Sequence, residues 1–138
     1  KLRPADSRYK SEQILAQVLR EAMSEASGRA LTFHTQIALN QVASSSNPAL
    51  TARERAFMAH RASCDFVLYF KVGKMPLGVI EVDGASHDRP DQAERDALKN
   101  SILEKSHIPL LRLRTVESRI KERVATFLAQ WTSNVSSV

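Results

Sequence analysis

Apolar positions along the chain recur in two rhythms, one helical and one alternating. In "SEQILAQVLREAM", Ile14, Leu15, Val18, Leu19 and Ala22 fall on one helical stripe. Ser11 is the expected N-cap and Glu12 suits the first turn; the residues before Ser11 read as a loose arm. "LTFHTQIAL" alternates Leu31, Phe33, Thr35 and Ile37 against Thr32, His34, Gln36 and Ala38, which predicts a first strand. "NQVASSSNP" reads as a loop. Thr51 and Glu54 then form a capping-box pattern that opens a short helix over "ARERAFMAH".

The second half is more regular. "CDFVLYF" is rich in aromatic and β-branched residues and predicts a second strand. "KVGK" turns the chain, and "MPLGVIEVDG" follows closely enough to be its hairpin partner. Pro90 opens a helix with Asp91, Gln92 and Glu94 in its first turn, running to about Lys105. In this helix Leu98 and Ile102 are expected to face the sheet. "IPLLRLR" is a fourth strand. Ile120, Val124, Phe127, Leu128 and Trp131 form the clearest amphipathic stripe, that of a packed final helix, and "TSNVSSV" reads as a frayed tail. The order is helix, three strands, helix, strand, helix, with one short helix inserted before the second strand. It predicts an α/β class fold, a mixed α+β sheet flanked by helices. The fourth strand is expected to return parallel to the third by a right-handed crossover.

Composition adds limits rather than detail. A chain of 138 residues fits one domain, here with a core over about residues 11–131 and loose ends at 1–10 and 132–138. No apolar run approaches the ~20 residues of a membrane span, so no membrane partner is expected. No basic-then-apolar leader supports secretion, and a first residue other than Met is expected of a processed or excised product. Cys64 is the only cysteine, which excludes an internal disulfide and zinc-finger spacing and points to a reducing cytoplasm.

Charge changes the picture more. The formal net charge is +5, yet Glu81, Asp83, Asp88, Asp91, Glu94 and Asp96 crowd one segment while basic residues dominate elsewhere. A basic body around an acidic focus suits a protein that attracts a polyanion and holds a cation against it. Side chains two apart on a strand share a face, so Glu81 and Asp83 are expected to point together, with Ile80 and Val82 packing the other way. If the second and third strands pair through "KVGK", Asp65 lies near the same end. Three carboxylates there would raise one another's pKa unless neutralised. A divalent cation such as Mg²⁺ neutralises them, polarises a phosphate and generates a nucleophilic hydroxide. The plainer alternative pairs Asp65 and Glu81 with Arg112 or Arg114 on the fourth strand. Lys99 and Arg95, on the long helix, project within reach of the carboxylate end, although Lys99 is also three residues from Asp96 and a surface pair is the alternative. His87 follows the carboxylates in a turn, as a ligand, a proton shuttle, a phosphate contact or a locally bonded loop residue. His107 ends the long helix and reads as structural. Glu12 and Gln36 are weaker candidates.

These residues resemble a known family. Asp65 in "CDFVLYF", Glu81 in "IEVDGASH", Arg95 and Asp96 in "ERDALKN", and "HIPLLRLR" are similar to the PD-(D/E)XK signature of the restriction-endonuclease-like superfamily. The closer likeness is to the bacterial branch related to very-short-patch-repair endonucleases. The match is good from about Cys64 to Arg114 and rests on element order elsewhere. The resemblance implies an αβββαβ core with flanking helices and a Mg²⁺- or Mn²⁺-dependent nuclease hydrolysing DNA. It makes Asp65 and Glu81 metal ligands, with the Val82 carbonyl as a further one. Asp83 stands where the common motif has lysine, so Lys99, Arg95 or His87 is the candidate substitute. Two rivals follow from that departure and from the shared chemistry. One is a catalytically degenerate module gripping nucleic acid within a larger protein, and the other an RNA or small-molecule phosphodiesterase. A homodimer or additional domains are expected for cutting both strands.

Overall fold

A computed structural model describes residues 6–25, 28–60, 62–83, 90–114 and 119–132. The elements are α1 (Asp6–Ser24), β1 (Leu31–Ala38), α2 (Leu39–Val42), α3 (Ala52–Ala59), β2 (Ser63–Phe70), β3 (Gly78–Asp83), α4 (Pro90–Lys105), β4 (Leu110–Arg114) and α5 (Ile120–Thr132). They build a mixed α+β fold around one four-stranded sheet in the order β1-β2-β3-β4. The first two pairings are antiparallel and β3–β4 is parallel, as the long α4 connection requires.

Apolar side chains explain the layers. The central strands β2 and β3 are buried along most of their length, so they read as near-continuous apolar runs with a core on each face. On one face Phe66, Leu68, Ile80 and Val82 pack against Leu15 and Leu19 of α1 and Val124 and Leu128 of α5. On the other Val67 and Val79 pack against Leu39 of α2, Met58 of α3, and Ile102 and Leu103 of α4. The buried stripe of α4 therefore centres on Ile102 and Leu103, while Leu98 is half-buried. Trp131 lies in the first core, edge-on to Phe127 at 5.1 Å between ring centroids, as expected of a packed final helix. Gly78 makes room for it: a Cβ there would stand 2.5 Å from the indole.

Some boundaries move. The first helix begins at Asp6 rather than Ser11, so Ser11 is interior to it. Pro4 is the last helix-breaking residue upstream, and nothing between it and Ser11 stops the helix. The expected loop after β1 holds the single turn α2, because Leu39 and Val42 have a core to enter. The third strand starts at Gly78, not Met75, since Pro76 has no N–H for the ladder. The fourth starts at Leu110, not Ile108. Thr51 and Glu54 make both bonds of a capping box, at 3.1 and 2.8 Å. His107 ends α4 structurally, in the left-handed region at φ 59, while Ile108 N–H returns to the Leu103 carbonyl.

Candidate functional site

The site forms where the β2–β3 ladder ends. Its last pair is Phe66 with Ile80, so the next residues along, Asp65 and Glu81, are opposite one another. Beyond that point the carboxylates replace the ladder. Asp65 N–H donates to Glu81 Oε2 at 2.8 Å, and Val82 N–H donates to Asp65 Oδ2 at 2.9 Å. The two acids are thus cross-braced onto each other's strand, and they are almost wholly buried, at 2% and 4% exposure.

The remaining oxygens are met from the flanks. Lys99 of α4 donates to Glu81 Oε1 at 2.8 Å and to the Ser63 carbonyl at 2.6 Å. Gln36 of β1 donates through Nε2 to Asp65 Oδ1 at 3.3 Å. Burial, then the neighbouring Asp65 charge, push the Glu81 carboxyl above the usual carboxylate range, against the pull of Lys99. The same burial, with the Glu81 charge, pushes the Cys64 thiol up to about 12, which makes it an inert core group.

Asp83 behaves differently. It faces the same way as Glu81 but is drawn to Arg112 of β4, whose Nη1 lies 3.2 Å away. Arg112 also reaches Asp96 at 3.6 Å and donates to Asn100 Oδ1 at 2.8 Å. The expected group of three carboxylates is therefore a buried pair plus an ion-paired neighbour. Among the described residues no group of three or more His, Cys, Asp or Glu side chains is set to hold a metal ion. Nor do Asp96 and Lys99 pair with each other: Asp96 goes to Arg112 and Gln92, Lys99 to Glu81.

The other candidates are spread. Arg95 is exposed on α4, one turn before Lys99. Glu12 is half-buried on α1, a helix that packs on the sheet face away from α4. Val82 contributes its N–H to Asp65, as above. His87, with Gly84 and Asp88, lies outside the described residues. Two contributors had no marker in the expected site: the Ser63 carbonyl that seats Lys99, and Asn100, which with Asp96 brackets Arg112. Asp96 and Asn100 are four apart on a helix, and that spacing was the available signal.

No curated protein and no solved structure matches the chain. A family model does match, over residues 8–130, which is nearly the whole fold and contains the site entire. The chain therefore belongs to the DUF2726 family, proteins of unknown function.

Proposed function

We propose that this chain is a nuclease domain hydrolysing phosphodiester bonds in DNA, with Mg²⁺ or Mn²⁺ bound by Asp65 and Glu81. One observation carries the reading: two buried carboxylates from adjacent strands meet at a ladder end, with the Lys99 ammonium 2.8 Å from one of them. Two carboxyls held this close in a desolvated place disfavour each other's charged form, and a bound cation would offset that cost. The donor set fits a hard cation. It consists of hard carboxylate oxygens from Asp65 and Glu81, each oxygen already oriented by a protein donor, with the Val82 carbonyl as a further oxygen ligand in this reading. When bound, such an ion polarises a phosphoryl oxygen and acidifies a water.

The chain's own groups supply the rest. Lys99 is anchored by Ser63 and Glu81 and takes the part of the lysine that Asp83 displaces, presenting its ammonium to developing phosphoryl charge. Arg95 meets the incoming phosphate, and His87 is a further proton carrier. Asp83, neutralised by Arg112, braces β3 against β4 and α4. The order α1, β1–β3, α4, β4 agrees with the αβββαβ core of the restriction-endonuclease-like superfamily and supports the reading. A reducing cytoplasm suits the single buried thiol.

The test is cleavage of plasmid and single-stranded DNA with Mg²⁺ or Mn²⁺. Glu81→Ala is expected to abolish cutting, and Lys99→Ala to reduce it at least ~100-fold, the scale of a lost charge-stabilising donor. Cleavage that survives Glu81→Ala overturns the reading. The salt bridge that occupies Asp83 at the motif's lysine position favours a second reading, a module that grips nucleic acid without cutting it. Protein that shifts DNA yet never cuts it under either metal selects that one.

A further inference from the structure

We infer that Gln36 is a positioning residue for the Asp65 carboxylate, and that a kink in β1 serves to deliver its amide there. This rests on the metal reading above and adds to it a residue that acts through Asp65 rather than on substrate.

Three observations converge on position 36. Gln36 is in the left-handed region at φ 53, in the middle of a strand. The β1–β2 register runs unbroken on both sides, Thr35 with Phe66 and Ile37 with Cys64, and only the Gln36–Asp65 pair drops out. The side-chain alternation also changes phase there. Phe33 and Phe66 belong to the core under α1 and α5, whereas Ile37 and Cys64 belong to the core under α3 and α4. Each is an even number of residues from its counterpart on the same strand, so a regular strand would keep them on one face.

A kink needed only for shape would be best made by glycine, which takes a positive φ freely. Glutamine gains nothing there except its amide. That amide spans the two strands: Nε2 donates to Asp65 Oδ1 at 3.3 Å, and Oε1 accepts from Ser63 Oγ at 3.3 Å. The Asp65 carboxylate, which only accepts, fixes which end of the amide faces it, and the Ser63 hydroxyl donates to the other end. With Val82 N–H already on Oδ2, the carboxylate is held by both oxygens and cannot turn. Ser63 also gives its carbonyl to Lys99, so one residue anchors the donors on both sides of the pair.

The experiment compares Gln36→Gly with the unaltered chain by Mn²⁺ calorimetry and by thermal melting in EDTA. Glycine is expected to keep or raise the melting temperature while weakening Mn²⁺ binding about tenfold, the low end for losing a ligand's hydrogen-bond partner. A merely structural residue would not separate the two readouts in this way. Ser63→Ala, which frees the amide without removing it, is expected to weaken binding by less. Equal affinity in Gln36→Gly and the unaltered chain overturns the inference and leaves the metal reading standing. If the glycine variant does not fold, Gln36→Asn tolerates the same backbone and leaves the amide short of Asp65; the same loss supports the inference and the same equality overturns it. Unaltered protein that takes up no Mn²⁺ overturns the metal reading, and this inference falls with it.

Discussion

At the scale of single residues, the buried acids divide by what surrounds them. Glu81 sits against another carboxylate, and its carboxyl is pushed up. Glu54 has no such neighbour among the described residues and accepts from Thr51 N–H, Ser101 Oγ at 2.5 Å and Lys105 Nζ at 2.7 Å. The Lys105 bond, then those from Ser101 and Thr51, hold its carboxyl at about 2, well below its ordinary 4.5. A group whose pKa is lowered by folding stabilises above its unfolded value, and that contribution fades as pH falls through the folded one. The Glu54 contribution is therefore expected to be full above about pH 4.5 and to fade toward pH 2. Urea melts across pH 2–6 should show Glu54→Gln less stable by about 2 kcal/mol near neutrality, the scale of a lost charge-assisted bond, with a shallower acid limb. The sequence disclosed half of this residue's work. Its local bond with Thr51 belongs to a pattern four residues long, whereas Ser101 and Lys105 are 47 and 51 residues away and no short-range pattern names them. The left-handed Gln36 was hidden for the same reason, because the bond that repays it crosses to another strand.

At the scale of elements, legibility followed how local the cause was. The β2–β3 hairpin was readable because a short connection fixes its register, and that register alone set Asp65 opposite Glu81. The reach of Lys99 was readable from the 100° step of its helix. The phase of α4 was not: Leu103, rather than Leu98, shares the buried stripe with Ile102, a choice made by the sheet it packs on. The α5–β3 contact was equally silent, since nothing in "PLGVIE" announces an indole 53 residues later lying over Gly78. Gly78→Ala is expected to cost about 1–3 kcal/mol, as overpacked cores do. The cost should shrink in a Trp131→Leu background, and a double-mutant cycle from chemical melts measures the difference.

At the scale of the molecule, one sheet with a core on each face gathers parts from both halves of the chain. The acid pair comes from the β1–β3 meander, the ammonium from the helix that leads to β4. Among the described residues no helix is long and apolar enough to cross a membrane. The net charge of +5 belongs to this scale too. If the domain grips DNA, raising salt from 50 to 200 mM should weaken binding about tenfold, corresponding to roughly two neutralised phosphates. Fluorescence anisotropy with a short duplex checks it. The peg between Glu54 and Lys105 has a last consequence, one of leverage. Lys105 and Lys99 lie on the same helix, about 9 Å apart along its axis. A swing of ~5° about the peg would carry the Lys99 end sideways by about 0.8 Å, an error that would blunt catalysis severely if the domain is the nuclease proposed above. A carboxylate at the far end of the helix thus sets the aim of an ammonium it never touches.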